Sequence, residues 1–312
     1  MSNLSQVVEF ELCGFQVGPR LRGLLLPLFL VFYALALGGN TLIVTAIALS
    51  SALHTPMYFF LVNLSVLDVA CASAVVPKLL AVLAGGPAGI SYGGCMAQMF
   101  FLSWTVASEV LLFTAMALDR YMAICHPLRY GTLMRPAVCG ALATGVWALG
   151  GLGSGINTGL MLRLAFCGPR PHRVQHFFCE IPPLLQLACS STRLNDIMAV
   201  VADFFFAVLN FLLTVASYGC VIAAILRMRS AEGQRRAFST CSSHLLVVSL
   251  YYSTVIYTYL SPGSRYAPGP GRVLAVLYSV VNPALNPLIY SLRNKDVKAA
   301  LRRVCALLAQ KL

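Results

Sequence analysis

Seven stretches of the chain are predominantly apolar, and the charged residues are concentrated between them. The stretches cover 24–48, 57–79, 96–118, 137–158, 197–226, 237–261 and 271–291. Each is long enough to cross the hydrocarbon core of a bilayer as a helix, which takes about 20 residues. The pattern therefore predicts an all-α membrane protein, built as a seven-transmembrane helix bundle.

The segment after the last apolar stretch has a different pattern. From Arg293 onward, apolar residues fall on one helical face and basic residues on the other, with the apolar face formed by Val297, Ala300, Leu301, Val304, Leu307 and Leu308. This pattern predicts a C-terminal amphipathic helix on the membrane surface. We therefore expect one domain over 1–312, with an N-terminal segment at 1–23, the bundle at 24–291 and the helix and tail at 292–312.

Composition agrees with a membrane protein, and the charges predict its orientation. The chain is 59% hydrophobic and 10% charged, whereas soluble domains are about 45–50% apolar and about 25% charged. Basic residues cluster in short segments at 227–236 and 293–303. Such clusters favour the cytosolic side, so we expect an external N-terminus and a cytosolic C-terminus. The net charge of +12 then indicates contact with anionic lipid, not with nucleic acid.

Residues 3–5, Asn-Leu-Ser, form a glycosylation acceptor at Asn3 that fits an external N-terminus. Five of the eleven cysteines are also predicted to lie outside: Cys13, Cys95, Cys167, Cys179 and Cys189. Three of them share the long loop around 159–196, which we expect to be a folded lid. Four of the five can form two disulfides with three connectivities. A metal site that includes His172 and His176 is the rival interpretation.

Two carboxylates lie inside predicted spans. Asp68 is midway along the second span and Glu109 midway along the third. An ionised carboxylate there costs several kcal/mol unless it is paired or hydrated, and no basic residue lies at a comparable depth. Oxygen ligands suit an alkali cation such as sodium. A bound sodium ion and a shared proton therefore both remain open.

The third and sixth spans each present a stripe toward the predicted bundle interior. In the third span the stripe is Leu102, Val106, Glu109, Phe113, Ala117 and Arg120; in the sixth it is His244, Val248, Tyr252, Val255 and Tyr259. Such stripes form either core or the wall of a small-molecule pocket. Asp203, beside three phenylalanines, is expected either to bind an amine or to reach the outer interface.

The inner ends of two spans carry the residues of a possible switch. Asp119, Arg120 and Tyr121 end the third span, where an adjacent acid and base predict a latch that can be made or broken. In the seventh span, Asn282-Pro283 and Asn286-Pro287 precede Tyr290. Each proline removes a helical hydrogen bond and permits a kink.

Five sequence blocks, taken in order, closely resemble those of a rhodopsin-like G-protein-coupled receptor. They are LHTPMYFFL at 53–61, MALDRYMAICHPLRY at 116–130, Ser217-Tyr218, AFSTCSSHL at 237–245 and PALNPLIYSLRN at 283–294. Within that class the chain resembles an olfactory receptor of the tetrapod class II group. The resemblance implies disulfides Cys95–Cys179 and Cys167–Cys189. It also implies an odorant pocket, an olfactory stimulatory G protein that raises cyclic AMP, and the plasma membrane of the olfactory cilium.

We expect a small, mostly apolar odorant to bind in the outer half of the bundle, at Leu102, Ser103, Val106, Ala107, Asp203, Phe206, Tyr252, Val255, Ile256, Tyr259 and Ser279. The switch that it controls is expected at Asp119, Arg120, Tyr121, Tyr218, His244, Asn286, Pro287 and Tyr290. Leu118 stands where the family usually has tyrosine, and Asp203 is atypical of the family.

Three rival functions lead to different expectations. A non-olfactory receptor of the same class would use the same switch with another small ligand. An ion-coupled transporter would use Asp68 and Glu109, but the chain has no inverted repeat. An intramembrane enzyme needs a nucleophile, a base and an orienting group, and no such set is legible around His244. We therefore predict a receptor and not an enzyme.

Overall fold

The computed structural model describes residues 9–14, 18–167, 172–260, 270–293 and 295–309, and most of them are helical. The helices are α1 (Pro19–Leu49), α2 (Pro56–Leu83), α3 (Tyr92–Cys125), α4 (Tyr130–Leu133), α5 (Pro136–Met161), α6 (Ile181–Leu185), α7 (Arg193–Ala202), α8 (Asn210–Leu226), α9 (Ala231–Leu260), α10 (Pro270–Val276), α11 (Asn282–Arg293) and α12 (Lys295–Ala309). Two π-helical segments, Asp203–Leu209 and Leu277–Val281, join α7 to α8 and α10 to α11. Asn3 lies outside the described residues.

Within the described residues, six helical segments are long and apolar enough to cross a membrane. They are Pro19–Leu49, Pro56–Leu83, Tyr92–Cys125, Pro136–Met161, Arg193–Leu226 and Arg272–Ser291. The predicted sixth span, 237–261, corresponds to α9 as far as Leu260, and His244 and several serines and tyrosines make this segment less apolar. The prediction of a transmembrane helix bundle is confirmed.

Local sequence signals explain where the long helices begin. Pro19, Pro56 and Pro136 each occupy the first turn of a helix, where a missing N–H costs nothing because that group has no partner within the helix. The start of α3 is capped instead by Ser91, whose hydroxyl accepts a hydrogen bond of 3.1 Å from the backbone N–H of Gly94.

A small sheet, which the sequence did not predict, covers one end of the bundle. Its central strand β1 (Glu9–Leu12) pairs antiparallel with β2 (Gly89–Ser91) and parallel with β3 (His172–Val174). Strands of three or four residues carry too few positions for an alternating pattern to be recognised. Phe10 anchors the sheet: it is fully buried and meets Phe166 edge to face at 5.4 Å.

The sheet defines the two ends of the molecule. Because β1 precedes α1, β2 precedes α3 and β3 follows α5, all three strands lie at the same end. We call this the lid end, and we call residues 162–192, which join α5 to α7, the lid. The opposite end, where α3 finishes after Asp119 and Arg120, is called the latch end.

Helix α3 occupies the centre of the bundle, in contact with α2, α5, α8 and α9. The main core around it contains fully buried Phe60, Leu64, Phe113 and Tyr251. Gly150 lets α5 approach closely, since a Cβ there would lie 3.1 Å from the backbone nitrogen of Ser108. A central α3 can connect the two ends of the molecule directly.

Just before Asn282-Pro283, where the sequence permits a kink, the chain forms the π-helical segment Leu277–Val281. Pro283 has no N–H to offer the carbonyl of Ser279, so a regular α-helical hydrogen bond cannot form there. The side-chain amide of Asn40 donates to the carbonyl of Pro283 at 3.0 Å. Helix α1 therefore contacts α11 close to the point where the π-helical segment ends and α11 begins.

Helix α12 packs partly against protein. Val297, Ala300 and Val304 on its apolar face are buried in the main core, whereas we expected this face to lie on the membrane surface. A face that is apolar by pattern can be covered by either lipid or protein, so the periodicity alone does not distinguish the two.

Candidate functional site

Two disulfides fix the lid. Cys95 at the start of α3 is joined to Cys179, and Cys167 is joined to Cys189, with Cα–Cα distances of 5.4 and 5.6 Å. This is the pairing that the resemblance implies. Cys13 remains free and buried, and the described residues contain no group of three potential metal ligands. The lid is thus linked covalently to the central helix.

Polar contacts add to this attachment. The amide of Gln98 on α3 donates to the carbonyl of Ala74 on α2, and its oxygen accepts a hydrogen bond from the backbone N–H of Cys179, each at 2.9 Å. The Tyr278 hydroxyl donates to the carboxylate of Glu180 at 2.5 Å. The lid therefore contacts α2, α3 and the helical segment that leads into α11.

His176 completes the polar group beneath the lid. Its Nε2 lies 3.6 Å from a carboxylate oxygen of Glu180, and its ring meets Phe178 edge to face at 4.6 Å. Burial lowers the pKa of His176 below its ordinary value, although the Glu180 carboxylate acts in the opposite direction. A neutral imidazole is therefore favoured at neutral pH.

A cleft of about 100 Å³ lies at the lid end, between the lid, α3, α5 and α7. Its walls are formed by Ser103, Asn157, Glu180, Ile181, Pro182, Leu185, Asp196, Ala199, Ala202 and Asp203. Ser103 and Asp203 belong to the predicted ligand set. The cleft also brings three carboxylates together, which the sequence did not predict because Glu180 lies in the lid and Asp196 in the first turn of α7.

The other predicted ligand residues lie around and below this cleft. Leu102 and Val106 pack with Phe178 and Tyr278, and the Ser279 hydroxyl donates to the carbonyl of Ala275 at 2.6 Å. Of the other predicted ligand residues, Ala107 and Phe206 are half-buried, and Tyr252 is buried in the main core. The side chains of Val255, Ile256 and Tyr259 lie outside the described residues.

Below the cleft, a buried aromatic contact connects the ligand region to the lower half of α3. The Tyr251 hydroxyl donates to the carbonyl of Val106 at 3.3 Å, and its ring meets Phe113 at 5.0 Å. Glu109, one turn after Val106, is almost fully buried, and its Oε1 has no hydrogen-bond partner among the described residues. The predicted α3 stripe therefore faces the interior.

The second intramembrane carboxylate, Asp68, is bound by a predicted switch residue. The side-chain amide of Asn286 donates to both carboxylate oxygens of Asp68 at 3.0 Å. Asp68 is completely buried, and Glu109 is almost fully buried. Next to Asn286, Pro287 packs against Gly39 of α1, where a Cβ would lie 2.8 Å from the proline Cβ.

The latch is a buried ion pair with a third partner. Arg120 Nε donates to the Asp119 carboxylate at 2.9 Å, and Nη2 contacts the same oxygen. Tyr130 donates its hydroxyl to the other carboxylate oxygen at 2.7 Å. Although the pair stands at the end of a predicted span, Asp119 is fully buried. Burial and the adjacent carboxylate raise the pKa of Tyr130 above its ordinary value, so the phenol stays protonated.

The remaining switch residues surround the latch. A cavity of about 20 Å³, with room for about one water molecule, is lined by Met57, Leu61, Met116, Arg120, Ser239, Ser243, His244 and Tyr290. Tyr218 is hydrogen-bonded to His244 Nδ1. Among the described residues, His244 Nε2 and the Tyr290 hydroxyl have no hydrogen-bond partner. Tyr121 is directed elsewhere, with its hydroxyl 3.1 Å from His126 Nε2.

Besides the cleft carboxylates Glu180 and Asp196, sequence reasoning missed Tyr130, Gln98 and Tyr278. Tyr130 belongs to the latch, whereas Gln98 and Tyr278 hold the lid. Tyr130 is separated from Asp119 by eleven positions and a turn at Pro127, so no helical spacing relates the two. A polar residue within an apolar span was the one available signal for Gln98.

Comparison with known proteins identifies the family. The model of the family described as olfactory receptor matches residues 29–311. Human olfactory receptor 13A1 is 54% identical over 304 residues, which cover 97% of this chain and 92% of that protein. Human olfactory receptor 13G1 is 48% identical over 98% of this chain and 99% of its own length. Mouse olfactory receptor 2A7 is 47% identical, with 97% of both chains covered.

These matches span nearly the whole helix bundle, including both the lid end and the latch end. They decide between the rival functions, since the family consists of receptors and not of enzymes. The apolar helices make the chain a multi-pass membrane protein. The chain belongs to the olfactory receptor family and is an odorant receptor.

Proposed function

We propose that this receptor lies in the plasma membrane of the olfactory cilium, with the lid end outside and the latch end in the cytosol. The positions of the charges support this orientation. The basic segments 227–236 and 293–303 adjoin the latch end, and short basic segments favour the cytosolic side. The two disulfides lie at the opposite end, and disulfides form and persist in an oxidising compartment such as the cell exterior.

The ligand is a small, mostly apolar odorant that enters beneath the lid. It contacts Ser103 and Asp203 in the cleft and the apolar residues below them. Apolar burial contributes about 25 cal/mol per Å², and one or two hydrogen bonds orient the molecule. Because a small odorant buries little area, the affinity is modest.

Binding controls the latch through α3. The ligand shifts the bundle only through its different affinity for two arrangements, one of which has the latch end closed. In the open arrangement Arg120 leaves Asp119 and moves toward Tyr218 and Tyr290. The groove that opens receives an olfactory stimulatory G protein, which raises cyclic AMP.

One observation carries this proposal: the buried ion pair Asp119–Arg120 borders a small cavity lined by His244 and Tyr290. An ion pair in which both charges are buried is costly to break by removing one partner. Partners that can receive the released arginine lower that cost: Tyr290 lines the cavity beside it, and Tyr218 is hydrogen-bonded to His244 in the cavity wall. This arrangement suits a two-state element better than a static anchor.

The buried carboxylates set a second condition on the switch. Asp68 and Glu109 would hold a sodium ion between them or share a proton, and Glu109 Oε1, which has no hydrogen-bond partner among the described residues, fits either role. The two can be separated by measuring the thermal stability of the detergent-solubilised receptor in sodium and in choline salts. A sodium-dependent gain that Asp68→Asn removes supports the ion, and equal stability in both salts supports the proton.

Replacement of the latch arginine tests the proposed coupling. Arg120→Ala should abolish odorant-evoked cyclic AMP, because the variant lacks both the buried ion pair and the arginine that the open arrangement releases. Arg129→Ala is the matched control, since Arg129 lies at the same end but is exposed. The measurement is a cyclic AMP reporter response at equal surface expression, across an odorant panel. Full signalling by Arg120→Ala would refute the latch.

A further inference from the structure

A groove on the outside of the bundle has no part in the proposed signalling mechanism. It runs between α3, α5 and α8, has a volume of about 570 Å³ and is lined by thirteen residues, of which ten are apolar or glycine. Pockets that hold small ligands measure roughly 300–1,000 Å³. The groove is thus large enough to hold a small ligand or part of a lipid.

The floor of the groove offers no polar group to a ligand. Thr114 and Asn210 are its two uncharged polar side chains. The threonine hydroxyl donates to the Asn210 oxygen at 2.8 Å, and the Asn210 amide donates to the carbonyl of Phe205 at 2.8 Å. Since these groups satisfy one another, the floor suits a hydrocarbon chain.

The end of the groove is different, because it carries a positive charge. Arg135, immediately before α5, is exposed and forms no ion pair within the part of the chain that the structure describes. Leu149, near the other end of the groove, lies 14 positions further along α5, which corresponds to about 21 Å. The groove therefore extends from the latch-end surface past the middle of a core that is roughly 30 Å thick.

We propose that this groove binds an anionic phospholipid of the leaflet at the latch end, with one acyl chain between α3, α5 and α8 and the phosphate beside Arg135. Charge complementarity selects the headgroup, and the apolar walls accept the chain. Anionic lipids are concentrated in the cytosolic leaflet, so the leaflet assignment rests on the proposed orientation. A neutral odorant would leave the arginine without a partner.

The headgroup is tested with the full-length receptor in nanodiscs. A phosphatidylserine with a photoreactive acyl chain is compared with a phosphatidylcholine that carries the same chain, and labelled peptides are mapped by mass spectrometry. Phosphatidylserine should label the α3 and α5 segments of the groove about fivefold more strongly, as expected for one basic residue at the surface. Arg135→Gln should remove this preference, whereas Arg129→Gln should retain it.

The acyl-chain site is tested by filling the groove. A Cβ at Gly145, which lines the groove, would meet no atom within 4 Å. Gly145→Leu therefore adds bulk without a backbone clash and should reduce labelling by both lipids about fivefold, an expectation scaled to the burial of a single side chain. Gly155→Leu, at an equally open position on α5 outside the groove, should leave labelling unchanged.

Equal labelling by the two lipids in the wild-type receptor would overturn the headgroup assignment. Labelling of Gly145→Leu at the wild-type level would overturn the acyl-chain site, and if that variant does not fold, the Arg135→Gln comparison decides. Neither readout uses odorant or cyclic AMP. A failure here is therefore distinguishable from a failure of the proposed signalling function.

Discussion

The two ends of this receptor are held together by different kinds of interaction. At the lid end, the Cys95–Cys179 disulfide attaches the lid to the central helix, the Cys167–Cys189 disulfide closes a loop within the lid, and strand β3 of the lid pairs with β1 in the three-stranded sheet. At the latch end, the described contacts are an ion pair, hydrogen bonds and side-chain packing around a cavity of about 20 Å³. Covalent bonds restrict the first end, whereas the contacts at the second can exchange partners.

This difference separates the tasks of a receptor along one helix. A ligand needs a preorganised cleft, since ordering a loose one reduces affinity. The output needs two arrangements of similar free energy. Helix α3 contributes Cys95 to the fixed end and Arg120 to the other, and the Phe113–Tyr251 contact lies between them.

Removal of the disulfide between the lid and α3 should have the largest effect, because it affects the stability of the lid end. Cys95→Ser with Cys179→Ser detaches the lid from α3, and loss of a native disulfide typically costs about 2–5 kcal/mol. We expect surface expression, measured by flow cytometry, to fall about tenfold or more. Cys220→Ser is the control, because Cys220 is free and exposed. Wild-type expression of the double variant would show that the lid end does not depend on the covalent link.

A weaker perturbation of the lid end tests whether its contacts affect ligand binding without affecting the switch. Tyr278→Phe removes the hydroxyl that donates to Glu180, and a hydrogen bond to a charged group is worth about 1.5–3 kcal/mol. Because Glu180 is partly exposed, we expect a smaller effect, with an odorant EC50 raised about threefold to tenfold and an unchanged maximal response.

Tyr92→Phe is the matched control for this variant, since Tyr92 lies at the same end and its hydroxyl makes no hydrogen bond among the described residues. A lower maximal response without a change in EC50 would mean that Tyr278 acts on the switch and not on the cleft. That result would remove the distinction between the two ends.

Acidification should have the smallest effect. Burial lowers the pKa of His176, so the unfolded state binds its proton more readily than the folded state does. The resulting stability is present above the unfolded pKa of about 6.5 and is lost as the pH falls through the folded pKa. Between about pH 7.5 and 5.5, the melting temperature should fall about 2 °C further in the wild type than in His176→Gln. Identical pH profiles would exclude His176 as the cause.

The long-range architecture was predictable from the sequence, but the contacts between distant segments were not. Apolar runs predicted the membrane helices because their length is set by bilayer thickness. The β1–β2–β3 sheet has no comparable signal, since its strands are short and come from the segment before α1 and from two separate loops. The burial of Asp119 also escaped prediction, because Tyr130 returns to it only after a turn in the chain.

In the candidate sites too, the residues that share one helix face were predictable, whereas the contacts between distant segments were not. The α3 stripe from Leu102 to Arg120 followed from helical periodicity, because its residues share one element. The pairing of Asp68 with Asn286 joins α2 to α11, and spacing along the chain contains no information about that distance. The clustering of Glu180 with Asp203 depends likewise on how the lid folds over α7.

The basal activity of an Asp119→Asn receptor shows whether the Asp119–Arg120 pair holds the latch end closed. The substitution keeps the shape of the side chain but removes the charge that holds Arg120 at the latch end. We predict odorant-independent cyclic AMP about fivefold above wild type at equal surface expression, which corresponds to a weakening of the closed state by about 1 kcal/mol. Basal cyclic AMP at the wild-type level, with a normal odorant response, would contradict the latch.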